Sequence, residues 1–293
     1  MESGQPLTIQ TPDMTFSALA WGQEDAPVVL ALHGWLDNAA SFTRLAPLLK
    51  GVRVIAVDLA GHGLSDHRGA GGDYPLWSYV ADVITIADAL QLEKLHLLGH
   101  SMGAIVSMMT AATMPDRVAS LTLIDGLWPG NTEARKTVDQ LGKAIAWRTR
   151  LSRRPRSRFP SIEMAVKARM MAGFGKITAK AAEIIVRRGL KEDNGDWIWR
   201  SDSRLLAPTA MRMSLEQSGL LVSAVKVPAI LIAAENGLVD SAAKQFADTL
   251  EHITVKRLAG EHHLHLEEQV DDVASVIQPH LSAAVSNAVT EES

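Results

Sequence analysis

Cysteine does not occur in this chain of 293 residues. Its absence removes disulfides, thiolate nucleophiles and cysteine-based metal sites together, and fits a reducing compartment. No apolar stretch reaches the roughly 18 to 20 residues needed to cross a bilayer. The start, Met1-Glu2-Ser3-Gly4-Gln5-Pro6, lacks the basic opening and apolar run of a signal peptide, so a cytoplasmic protein is expected. Charge of one sign is also missing: 29 basic and 33 acidic side chains leave a net charge of −4, giving no reason to expect a nucleic-acid partner. Neither internal repeats nor a glycine-rich nucleotide fingerprint is present.

What is there is apolar and periodic. Hydrophobic residues make up 47% and charged residues 21%, enough for a large buried core. Leu7 to Gln10 and Met14 to Trp21 read as two strands around Pro12-Asp13. Val28 to Leu32 is an uninterrupted apolar run, the mark of a strand buried on both faces of a parallel sheet. A helix is expected over Ala39 to Leu49, a strand over Val52 to Val57, a helix over Leu76 to Leu90 and a strand over Leu95 to Leu98. Met102 to Ala112 reads as a helix and Leu121 to Ile124 as a strand. This alternation implies a mostly parallel sheet with helices on both faces.

After Gly126 the character changes. Leu127 to Leu221 holds helix-like stretches, such as Ser161 to Met171 and Ile177 to Arg188, but no convincing buried strand. Six arginines between Arg148 and Arg158 read as a solvated helix end and loop. The strand and helix rhythm returns at Pro228 to Ala234, Ser241 to Leu250, Ile253 to Leu258 and Glu267 to Val285. The expected organisation is a core from residues 1–126, a helical cap over 127–221 and the rest of the core over 222–293.

Gly99-His100-Ser101-Met102-Gly103 is a G-x-S-x-G segment between an expected strand and an expected helix. A sharp, strained elbow there would lift the Ser101 hydroxyl above the sheet, with the helix N-terminus facing developing negative charge. Ser101 is the expected nucleophile. The backbone N–H groups of Met102 and Trp35 are the expected oxyanion donors, Trp35 following the Val28 to Leu32 strand. Trp35, Phe42 and Trp128 are candidate pocket walls, with Trp147, Trp197 and Trp199 candidates for the cap.

On these segments the chain resembles the α/β-hydrolase superfamily over nearly its whole length. His33 to Asn38, Asp58 to Asp66 and Gly260 to Leu266 are similar to the serine-hydrolase-like proteins, which are near haloalkane dehalogenases and epoxide hydrolases in pattern. The resemblance implies an α/β-hydrolase fold with a helical cap, His262 as the base, and a structural role for the Asp58 to Asp66 turn. It also implies an aspartate after the Ala229 to Ala234 strand, where this chain has Gly237. Some relatives carry their acid one strand earlier, which points to Asp125; Glu235, Asp240 and an incomplete triad stand as alternatives.

The expected activity is hydrolysis of a small apolar carboxylic ester or related acyl substrate through an acyl-enzyme, with no cofactor. Serine at the elbow argues against dehalogenase and epoxide-hydrolase chemistry, which need a carboxylate nucleophile. A cofactor-free C–C hydrolase or haloperoxidase, or a non-enzymatic binding or signalling protein on the same scaffold, are the competing readings. His262, His263 and His265 are close in sequence, but their spacing in a loop does not read as a zinc site, and no metal is expected.

Overall fold

Side chains alternate across a strand, so an apolar run without polar breaks must find cover on both sides. In the computed structural model, which describes residues 4–129, 131–151, 156–172 and 175–291, they do. The chain opens with β1 (Gln5–Gln10), β2 (Thr15–Trp21), β3 (Val28–Leu32) and β4 (Arg53–Val57). There follow α1 (Leu76–Ala89), β5 (Leu95–His100), α2 (Met102–Thr113) and β6 (Val118–Ile124). The insert contributes α3 (Thr137–Leu151), β7 (Arg158–Phe159), α4 (Ile162–Ala172), α5 (Ala179–Gly189), β8 (Leu190–Asp193) and β9 (Asp196–Trp199). After α6 (Leu215–Ala224) the scaffold resumes with β10 (Ala229–Asn236), α7 (Ser241–Ala247), β11 (Ile253–Glu261) and α8 (Val270–Glu291).

Eight strands form one sheet in the order β1-β2-β4-β3-β5-β6-β10-β11. β1 and β2 are antiparallel to their neighbours; the pairings from β4 to β11 are parallel. Leu30 and Leu32 point into a core shared with α1 and α2, including Tyr79, Val83 and Ala104. Val29 and Ala31 point the other way, into a core with Phe42 and the α8 residues Val273, Ile277 and Leu281. β3 sits between β4 and β5, so the chain leaves it toward one edge and later returns on its other side. Such a reversal opens a crevice at the carboxyl ends of the two strands. Leu32 pairs with Gly99 there, bringing the loop after β3 beside the turn after β5.

One segment differs from expectation. Ala39 to Leu49 is not one helix but two 3₁₀ turns, Ala39–Phe42 and Ala46–Leu48. Pro47 lacks the N–H that a continuous helix would use there. The insert is mostly helical, with β7, β9 and β8 adding a small antiparallel sheet. Its hairpin turns at Asn194-Gly195, both at positive φ, as a tight two-residue turn demands. α6 packs on α2 of the scaffold.

Candidate active site

Between β5 and α2 the backbone turns through Ser101 at φ 52°, ψ −116°, a region that costs a side-chain-bearing residue of order 1 to 3 kcal/mol. The turn is held on both sides. Ser101 N–H donates to Ile124 O at 2.9 Å, and its carbonyl accepts from Ile105 N–H at 3.1 Å. The glycines are required by contact: a Cβ at 103 would stand 1.9 Å from Leu32 O, and one at 99 would stand 2.4 Å from Ala104 N. Met102 is the first residue of α2, so its N–H has no acceptor within the helix and faces outward from its N-terminus. The loop after β3 carries Trp35, whose indole N–H donates to Leu205 O at 3.0 Å.

His262 follows β11 and is buried. Its Nδ1–H donates to Asp125 Oδ2 at 2.6 Å, so the ring presents Nε2 as its free lone pair. Asp125 stands just beyond β6 at φ 43° and has 1% exposure. Its carboxylate also accepts from the backbone of the β10 loop: Leu238 N–H at 2.7 Å, Ala234 N–H at 3.3 Å and Val239 N–H at 3.4 Å. Four donors leave it one orientation, toward His262. Gly237 lies against it, where a Cβ would be 2.2 Å from Oδ2. The alternative acids are elsewhere. Glu235 is exposed, and Asp240 caps α7 by accepting from Ala243 N–H at 2.7 Å.

Several histidines near the site are braces. His33 donates from Nδ1 to Gly34 O at 2.7 Å and accepts at Nε2 from Leu59 N–H at 2.9 Å, tying the loop after β3 to the Asp58 turn. Burial pushes its pKa down to about 4, and that of His62 to about 3. His100, next to the elbow, donates from Nε2 to His262 O at 3.0 Å; burial and the surrounding histidines hold it well below its usual range. Its ring centroid is 4.6 Å from that of His262.

The pocket candidates fare unevenly. Phe42 is fully buried beneath the site, 5.5 Å between ring centroids from His265, because its turn is pinned inward by Ser41 bonding His265. It is core, not wall. Trp128 is partly buried against Phe246 at 5.6 Å, and Trp199 packs edge-on against Phe159 within the cap. Two open clefts, one lined by Met14, Trp77 and Asp82 and the other by Asn131, Gln140 and Arg212, do not include Ser101. Arg148 pairs with Asp73, and Arg158 with Asp193 and Asp196, all exposed, as a solvated arginine run would; Arg153 and Arg154 lie outside the described residues.

Sequence reasoning missed a second cluster. Asp37, His100 and His263, all buried, hold potential ligand atoms within 4.8 Å of one another. The cluster already carries a cation: Arg169 Nη2 donates to Asp37 Oδ1 at 2.6 Å and lies 3.3 Å from His263 Nε2. A metal ion there would have to displace that guanidinium. Asp37 and His263 fall in segments that carry the resemblance, but nothing near Arg169 in sequence marks it as their partner.

A model of the alpha/beta hydrolase fold matches residues 27–269. A serine hydrolase-like protein of Danio rerio is 32% identical over 88% of this chain and 82% of its own length. The mouse serine hydrolase-like protein is 30% identical over 94% of both chains. Among solved structures, a hypothetical protein from Pseudomonas aeruginosa PAO1 superposes with a TM-score of 0.90 at 40% identity, covering 94% of this chain and 99% of that one.

Proposed function

Since the chain belongs to the alpha/beta hydrolase fold family, with serine-hydrolase and esterase-type chemistry, we propose that Ser101, His262 and Asp125 form its catalytic triad and cleave acyl substrates through an acyl-enzyme. The observation that carries this reading is the buried Asp125–His262 pair, 2.6 Å long, beside the strained Ser101 elbow. A serine hydroxyl is a weak nucleophile until a base within reach takes its proton. With Nδ1–H committed to Asp125, His262 Nε2 is left to accept it. As Ser101 Oγ attacks the carbonyl, negative charge builds on the substrate oxygen, and the Met102 and Trp35 N–H groups are the donors to meet it. The imidazolium formed then protonates the leaving group, and Asp125 stabilises its positive charge. Water enters, gives its proton to the same base, and frees the acid and Ser101.

The Asp125–His262 pair supports the enzyme reading over a non-enzymatic binding protein on the same scaffold, despite Gly237. The substrate we assign is a small, mostly apolar ester, reached beneath the insert. Hydrolysis of short- and medium-chain p-nitrophenyl esters by wild type, Ser101→Ala and His262→Ala tests the assignment. Each variant should lose at least about 10³-fold in turnover while unfolding like the parent. A folded variant with parental turnover would refute the serine mechanism.

A further inference from the structure

The turn that presents the Trp35 N–H is itself strained, and its anchor comes from the cap. Gly34 to Asp37 closes as a four-residue turn, with Asp37 N–H donating to Gly34 O at 3.1 Å. Leu36 sits in it at φ 62°. A leucine in the left-handed region lasts only where its surroundings over-determine it. Here the constraint acts on Asp37, whose side chain is 1% exposed. Oδ1 accepts from Arg169 Nη2 at 2.6 Å, and Oδ2 faces His263 Nε2 at 3.2 Å. Burial alone would raise the Asp37 pKa, but the Arg169 charge, with His263, holds it well below the usual carboxylate range. Arg169 belongs to α4, and its side chain is 10% exposed although Met171, two residues on, is 89% exposed. It thus reaches from the cap to the floor of the site. Little separates that floor from the nucleophile: a Cβ at Gly34 would be 3.2 Å from Ser101 Cβ and 3.3 Å from Asp37 Oδ2.

We propose that Arg169 is a positioning residue for catalysis. Through Asp37 it holds the Gly34–Asp37 turn so that the Trp35 N–H faces the oxyanion, and the same carboxylate, accepting from His263 Nε2–H at 3.2 Å, ties in the loop bearing His262. The cap is then part of the catalytic geometry. This rests on the Ser101 acyl-enzyme reading above.

The test compares wild type, Arg169→Lys, Arg169→Met and the double variant Arg169→Met/Asp37→Asn, using a p-nitrophenyl ester and a fluorophosphonate probe. The ion pair with Asp37 is made through one nitrogen, Nη2. A lysine ammonium can therefore replace it, and Arg169→Lys should keep kcat within about threefold of wild type. Arg169→Met should lower kcat on the order of 10- to 100-fold, with KM moving less than about threefold, because oxyanion donors act on the transition state. The double variant carries the same expectation and does not strand a buried carboxylate, so it serves if Arg169→Met does not fold. In the ester kinetics, three results would overturn the proposal: parental kcat in a folded Met or double variant, a loss shared equally by Lys, or a rise in KM alone. Failure of the probe to label wild-type Ser101 would instead refute the serine reading, and this proposal with it. Labelling of wild type and Arg169→Met at equal rates would refute only the role of Arg169.

Discussion

At position 237 a side chain and the Asp125 carboxylate compete for one space. A Cβ there would lie 2.2 and 2.3 Å from the two carboxylate oxygens and 2.5 Å from Cγ. The acid can be offered from the end of β10 or from the end of β6, but not from both. Gly237→Ala should therefore push Asp125 off His262 and lower kcat by on the order of 10² or more, within the range that loss of a triad acid's charge or geometry produces. Asp125→Gly tolerates the positive φ at 125, and adding Gly237→Asp should recover at least about tenfold over Asp125→Gly alone. Parental kcat in Gly237→Ala would contradict the exclusion. The sequence shows the missing aspartate and marks Asp125 as a substitute, but reads Gly237 as a loss. Its role as a space requirement joins residues on different strands and is visible only in three dimensions. The same holds for Arg169 and Asp37.

Elements tell a similar story. The apolar strands and their intervening helices follow the sequence closely, because burial on both faces leaves no polar positions to blur the pattern. Ala39 to Leu49 misleads because its apolar residues satisfy a helical period while its geometry is set by distant partners. Ala39 N–H donates to Asp58 at 2.7 Å, Ala40 N–H to its neighbour Asn38 at 3.1 Å, and Ser41 bonds His265. Asn194-Gly195 is a turn dipeptide, but strands of four residues give too short a pattern to declare themselves. α5 is docked by polar contacts that have no local sequence signal. Arg188 Nε donates to both Asp58 oxygens at 3.0 Å, Asn38 Nδ2–H donates to Ile185 O at 2.8 Å, and Thr178, the α5 N-cap, donates to Glu267 from N and Oγ1 at 2.7 Å. Asp58 has no exposed surface. Arg188→Ala leaves it charged and unpaired, and should cost about 3 to 5 kcal/mol in urea unfolding. Arg158→Ala, which breaks exposed pairs, should cost about 0 to 1 kcal/mol. Equal losses would show that α5 is not anchored through Asp58.

For the whole molecule, the buried histidines couple folding to pH. Unfolded imidazoles titrate near 6.5, whereas His33 and His62 in the folded protein are lowered to about 4 and about 3, and His100 and His265 are held well below their usual range by burial. Between these values the unfolded chain binds protons that the native state refuses. Stability is therefore complete above pH 6.5 and lost as pH falls toward 4. His33 and His62 alone give a slope of about 2 to 3 kcal/mol per pH unit near pH 5. The depressed Asp37 acts in a lower window, its contribution disappearing only as pH drops below about 3.8. Thermal unfolding from pH 7 to 5 should show a steep fall in Tm; a flat profile would mean that the braces are not neutral. Peptide mass spectrometry after fluorophosphonate treatment checks the proposal that this sheet edge assembles a serine nucleophile activated by His262 and Asp125. Wild type should carry one stoichiometric adduct on Ser101, formed much more slowly in His262→Ala and in Asp125→Asn. An unlabelled wild type under conditions where a control serine hydrolase reacts, or an adduct on another residue, would contradict it.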